Sequence, residues 1–187
     1  AAPVRRALGC PTACHVLGPL TNPGKVQAGS IGAAKEENAR LMAGVYASRV
    51  LSALVFRGAT TGLDELTTTD TNQVWIVNGG RVSEVAFDAH DALGMASAAI
   101  EDLAGGEAVE NAAVAREVLS GGGADAVRDA VALNVGAGIL AWEGLDNPVG
   151  PADFEERMRV AVDRGLAALA DGVGARLVER WVAASNA

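Results

Sequence analysis

Residues 62–71 read GLDELTTTDT: a glycine, two adjacent carboxylates at Asp64 and Glu65, and then mainly uncharged hydroxyl side chains. Two chemistries fit. One carboxylate at a turn serves as a helix cap or accepts from the nearby backbone. A pair in an irregular loop can instead converge on Mg²⁺, which commonly takes one or two carboxylates and completes its shell with water and substrate phosphates. On a regular strand the two neighbours would point to opposite faces. The backbone that carries them therefore decides what they can do.

LGPLTNPG, residues 17–24, holds two prolines, two glycines and no charge. Pro19 and Pro23 fix φ, while Gly18 and Gly24 permit close approaches, so the segment is expected to be a stiff loop. Such a loop is either a wall for a flat ring or an ordered turn. Upstream, Arg5 and Arg6 fall on a candidate amphipathic helix, VRRAL. An arginine beside that wall could make a bidentate contact with a carboxylate, or stay solvated.

The remaining reactive residue types carry less. Cys10 and Cys14 are spaced C-x-x-x-C with no second ligand pair, which reads as reduced thiols rather than a redox or zinc motif. His15 and His90 are far apart, and neither has a second histidine at helical spacing. SGGG at 120–123 follows a helical pattern rather than a strand and lacks a P-loop lysine, so it is expected to cap and connect helices.

The elements that position these residues follow from periodicity. From Gln27, QAGSIGA, KEENARLMAGVYASRV and LSALVF read as strand, helix and buried strand, a βαβ unit whose strands run parallel. The loop with Asp64 and Glu65 thus leaves the C-terminal end of a parallel strand, where open α/β sheets place ligand sites. TTDTNQVWIV and RVSEVAF flank Asn78, Gly79 and Gly80 and read as an antiparallel hairpin. Helical segments follow to the end. The one from Ala130 to Trp142 is apolar on nearly all sides and is expected to be buried among other helices.

Half of the 187 residues are apolar, enough for one folded α/β body over 1–187. A net charge of −8 gives no basic footprint for a phosphate backbone, so nucleic acid is not the expected partner. No apolar run reaches the roughly 18 to 20 residues that span a bilayer, and AAPVRRALG lacks a signal-peptide core. A soluble, cytoplasmic protein with no membrane partner is expected.

VRRALG, LGPLTNPG, GLDELTTT, NAAVAREVLSGG and RDAVALN, in this order, resemble the C-terminal part of the anthranilate phosphoribosyltransferase family. The resemblance implies the C-terminal portion of the large α/β domain, with a parallel βαβ unit, an antiparallel hairpin and a helical cluster. It implies transfer of phosphoribosyl from phosphoribosyl pyrophosphate to anthranilate in tryptophan biosynthesis. Arg5 matches the position that contacts the anthranilate carboxylate, and Gly18 and Pro19 match positions lining the anthranilate tunnel. Asp64 and Glu65 match the acidic pair that binds Mg²⁺ carrying the pyrophosphate. No catalytic acid–base residue is implied, because positioning and electrostatics carry such a reaction.

The family's GTGGD and KHGNR-type motifs do not occur in these residues. The chain is therefore expected to be inactive alone and to need an N-terminal part or a second copy. The sequence also has Thr12-Ala13-Cys14-His15 where the family commonly has T-x-F-N, and Arg57-Gly58 where it commonly has His-Gly. These departures motivate a second reading, a non-catalytic relative that binds an aromatic acid or a protein partner.

Overall fold

LSALVF is apolar at successive positions because the strand it forms is covered on both faces. The computed structural model describes residues 14–49 and 51–186. VRRAL, Arg5, Arg6 and Cys10 lie outside the described residues. The chain runs α1 (Cys14–Leu20), β1 (Ala28–Gly32), α2 (Glu36–Ser48), β2 (Ser52–Gly58), β3 (Asn72–Asn78) and β4 (Arg81–Phe87). A short α3 (Ala89–Leu93) and a 3₁₀ turn (Ile100–Leu103) lead into α4 (Ala108–Leu119), α5 (Asp125–Glu143), α6 (Phe154–Ala170) and α7 (Val173–Ser185).

The sheet order is β1-β2-β3-β4. β1 and β2 are parallel, from Ala28 opposite Ser52 to Gly32 opposite Phe56. β2 with β3 and β3 with β4 are antiparallel. The βαβ unit and the hairpin thus form as the sequence predicts. Gly79 and Gly80 both take positive φ, 54° and 75°, which the tight turn between β3 and β4 requires.

Side-chain alternation sorts the core into two layers. Ala53 and Val55 of β2 and Trp75 and Val77 of β3 pack with Met42, Ala43 and Tyr46 of α2. Leu54, Phe56, Val74 and Ile76 face the opposite way and pack with Leu133, Ala137, Leu140, Met158 and Val162 of α5 and α6. β4 is an edge strand in which only Phe87 is buried, so it needs cover on less of its surface.

Three expectations change. LGPL is not loop: it forms the end of α1, with Pro19 inside the helix. Pro19 stands near the helix end, and the Thr21 backbone N–H still reaches the Leu17 carbonyl at 2.9 Å, so the turn closes around the missing donor. Burial of Leu20 against α2 adds to its stability. The irregular segment is shorter and lies beyond Leu20.

α5 is also not surrounded by helices alone. One side lies on the sheet and α6, while Val135 is 38% and Trp142 65% exposed. Apolar character all round misled here because it marks what could be buried, not what is. α3 was not expected, although Asp88 caps it through the N–H groups of His90 and Asp91, and Gly94, φ 73°, ends it. No helix among the described residues is long and apolar enough to cross a membrane.

Candidate functional site

The loop from Ala59 to Thr71 leaves the C-terminal end of β2, beside the C-terminal end of its parallel neighbour β1. Its first turn is closed by backbone bonds from Gly58 N to the Leu63 carbonyl at 2.8 Å and from Gly62 N to the Gly58 carbonyl at 3.1 Å. Asp70 clamps this turn from across the loop. Its carboxylate accepts from the backbone N–H of Thr60 at 2.6 Å and Thr61 at 2.8 Å, and from both threonine hydroxyls. Burial raises the Asp70 pKa, but these four bonds favour the ionised form and bring it below the ordinary carboxylate value.

The other end of the loop is held by two asparagines. Asn72 is fully buried and bonds both the N–H and the carbonyl of Thr67 at 2.9 Å, and reaches the Phe87 carbonyl at 3.2 Å. Asn134, on α5, does the same for Leu66, accepting from its N–H at 3.1 Å and donating to its carbonyl at 2.9 Å. A side-chain amide thus substitutes for a strand partner where no strand is present. Thr67 and Thr69 hydroxyls bond one another at 2.9 Å, whereas the Thr68 hydroxyl is buried with no partner among the described residues.

Asp64 and Glu65 occupy the bend between these anchors, and both are exposed. Leu66, the next residue, is 1% exposed and inserts into the core. The irregular backbone therefore frees both carboxylates from strand alternation, which was the condition for a shared cation. Beneath them the Asp64 backbone rests directly on Gly32 at the end of β1, so closely that a Cβ at Gly32 would overlap the Asp64 carbonyl. Only glycine fits that position.

The donor set discriminates between metals. Among the described residues no group of three or more His, Cys, Asp or Glu side chains could hold an ion, so Asp64 and Glu65 stand as two carboxylates without a third such ligand. That does not fit a structural zinc site, which needs four protein ligands. It does fit Mg²⁺, whose remaining positions are filled by water and phosphate oxygens. Among the described residues neither acid is held in an ion pair.

Glu65 also borders a cleft of about 520 Å³ lined by Leu103, Val127, Ala130, Val131, Asn134 and Val135. Leu103, Val127 and Val131 are shared with a second cleft of about 640 Å³ between the 3₁₀ turn, α4 and α5. Glu65 thus borders the first of two adjoining apolar clefts.

The other predicted positions lie elsewhere. Gly18 and Pro19 are exposed at the end of α1. The Pro19 carbonyl accepts from the Tyr46 hydroxyl at 3.1 Å and the Leu20 carbonyl from Arg49 Nη1 at 2.6 Å, which fastens α1 to the C-terminal end of α2. Asp64 rests on β1 just before α2 begins. Gly18 and Pro19 thus stand toward the C-terminal end of α2, and the acidic pair stands toward its N-terminal end. Arg5 lies outside the described residues. His90 Nδ1 is bonded to the Met95 carbonyl at 2.8 Å, a local structural role. SGGG caps α4, with Gly121 and Gly122 N–H groups returning to Val118 and Glu117 carbonyls.

Asp70, Asn72 and Asn134 were not singled out from sequence. Asn134 could have been, because a lone amide within the apolar run VALNVGAGIL must satisfy its donors somewhere inside the protein.

The family model described as "Glycosyl transferase family, a/b domain" matches residues 1–173. Anthranilate phosphoribosyltransferase of Arthrobacter sp. (strain FB24) is 48% identical over 179 residues, covering 96% of this chain and 49% of that protein. The Acidothermus cellulolyticus enzyme of the same name is 46% identical over 187 residues, covering all of this chain and 51% of that protein. The chain spans about half the length of the curated relatives it matches.

A crystal structure of anthranilate phosphoribosyltransferase from Thermus thermophilus superposes with a TM-score of 0.83 at 34% identity, over 100% of this chain and 52% of that one. The Saccharomyces cerevisiae enzyme in complex with PRPP and Mg matches at a TM-score of 0.74 and 22% identity, over 95% of this chain and 48% of that one, and shows the fold alone. With this parallel pair, hairpin and helical cluster, and with the family's a/b-domain model matching residues 1–173, the chain belongs to the glycosyl transferase family.

Proposed function

We propose that residues 1–187 are the C-terminal part of an anthranilate phosphoribosyltransferase, one portion of a single α/β domain working in the cytoplasm. The observation that carries this is 48% identity to an enzyme of that name across 96% of the chain. In this reading Asp64 and Glu65 would hold a Mg²⁺ ion, which would supply positive charge to the pyrophosphate group of phosphoribosyl pyrophosphate. Gly18 and Pro19 line the path of anthranilate, and Arg5 contacts its carboxylate. The chain's own work at the acidic loop is positioning: Asp70, Asn72 and Asn134 hold the backbone, Gly32 lets it sit low on β1, and the carboxylates project from it.

The rest of the site comes from the other half of the relatives' length. Three features support that need. β1 has only one strand neighbour among the described residues, leaving an unpaired edge. The apolar groove along α5 starts at Glu65 and has no cover among the described residues. No GTGGD segment occurs in the chain to cradle a phosphate.

Reconstitution is the test. Residues 1–187 assembled with the half that the relatives possess and this chain does not span should consume anthranilate in a phosphoribosyl pyrophosphate- and Mg²⁺-dependent manner. Asp64→Asn with Glu65→Gln should cut the rate roughly 10- to 100-fold or more, as loss of metal-site groups does. An assembly that forms stably yet transfers nothing would sink the proposal. One-site calorimetric binding of anthranilate to residues 1–187 alone would favour the non-catalytic binding protein instead.

A further inference from the structure

Arg57 sits at the end of β2, half-buried, and its guanidinium is only partly used. Nε donates to the Ala34 carbonyl at 3.4 Å, and Nη1 to the Ala59 carbonyl at 3.0 Å and to Gln73 Oε1 at 2.6 Å. A guanidinium is a rigid fork of five N–H donors, so these contacts fix its plane and leave the Nη2 edge. Among the described residues Nη2 donates to nothing, and no carboxylate pairs with this cation.

The backbone of the acidic loop runs along that edge. Gly62 passes it with φ 69°, and a Cβ there would stand 3.5 Å from Nη2. The end of β1 and the turn after it touch both segments: the Asp64 backbone rests on Gly32, and Arg57 Nε donates to the Ala34 carbonyl. The acid of the loop that could have neutralised Arg57 is Asp70, and it is committed to Thr60 and Thr61.

A staple between the turn, the loop and β3 would explain the three contacts but not the charge. A partly desolvated cation without a counter-charge is unfavourable, and a protein of net charge −8 has acids to spare. A cation next to a divalent metal site is also repelled, unless an anion lies between them. Both conditions are met by one ligand.

We propose that Arg57 is an anion-binding residue whose Nη2 edge takes a phosphoryl oxygen of a diphosphate group, with the divalent counter-ion of that group on Asp64 and Glu65. This rests on the metal role proposed above for the acidic pair. The magnesium complex of a diphosphate retains negative charge, which the acidic pair repels and Arg57 attracts. The fork then adds a directed, charge-assisted hydrogen bond to the contact the metal would make.

The experiment is calorimetric titration of residues 1–187 with inorganic pyrophosphate, with and without Mg²⁺. Arg57→Gln should weaken binding roughly 10- to 100-fold, as expected for a lost hydrogen bond to a charged group. Arg57→Lys should fall between, keeping charge and losing the fork. Gln73→Leu removes one contact of the staple but no Nη2 donor, and should bind as the unaltered chain does. Equal affinity in Arg57→Gln, an equal loss in Gln73→Leu, or no binding by the unaltered chain would each overturn the inference. Binding that needs Arg57 but ignores Mg²⁺ and Asp64→Asn would keep the anion contact and remove the metal role, which separates the two proposals.

Discussion

Helix α5 has two apolar faces that meet different fates. On one side Ala132, Leu133, Ala137, Leu140 and Ala141 are buried to 1% exposure or less between the sheet and α6. On the other, Val127, Val131 and Val135 recur at i, i+4 and i+8 and line an open cleft. The inner face is packed so closely that a Cβ at Gly136 would come within 3.1 Å of the Val162 backbone nitrogen. The outer face touches solvent and ends at Glu65. The sequence makes both sides fit for burial, but among the described residues the inner one is fully buried while Val127 and Val131 stay half-buried and Val135 is exposed. The inner face therefore stabilises this chain, and the outer one is available to whatever completes the site.

That contrast can be broken by substitution, and the largest effect belongs to the inner face. Leu133→Ala should cost about 2–5 kcal/mol, the range for deleting a buried leucine side chain whose cavity cannot collapse. Denaturant unfolding would show it as a lower midpoint at unchanged slope.

Asn134→Ala comes next, since it stands on the border between the two faces. Removing the amide strands the N–H and carbonyl of Leu66, at a cost of about 1–3 kcal/mol. Hydrogen exchange at Leu66 should accelerate while β2 stays protected. Unchanged exchange there would mean the loop does not depend on its anchor to α5.

The loop's other clamp responds to pH. Asp70 has a lowered folded value, so its contribution is complete above its unfolded value, near 3.9, and is lost as pH falls through the folded one. The difference in melting temperature between the unaltered chain and Asp70→Asn should be constant from about pH 7 to about pH 5 and should shrink below about pH 4.

The smallest effect should come from the outer face. Val135→Ser, at an exposed position, should change the stability of residues 1–187 by no more than about 0.5 kcal/mol, as for surface sites. The same change should weaken assembly with the complementary half. If it destabilised the chain as much as Leu133→Ala, the two faces would not differ.

Much of this was legible in the sequence, for reasons tied to particular residues. LSALVF announced a strand covered on both faces, Asn78-Gly79-Gly80 a tight hairpin, and the feed of GLDELTTT from a parallel strand its place at the sheet's C-terminal edge. Those are local properties: alternation, positive φ and chain direction follow from neighbouring residues alone. The adjacency of Asp64 and Glu65 was equally plain.

What the sequence could not contain was their frame. Asn134 lies 68 residues from Leu66, and nothing near either one says that they meet. Gly32 looks like any small residue in a strand until the Asp64 backbone is found lying on it. LGPL read as part of a stiff loop because prolines there fix φ and glycines permit close approaches, yet contact with Tyr46 and Arg49 at the end of α2 fastens it as a helix end. Sequence alone determined which residues carry charge and which segments seek burial. Tertiary structure decided which of those segments found cover, and that both carboxylates stand free on a bend, because burial and hydrogen-bond satisfaction are settled by residues distant in the chain.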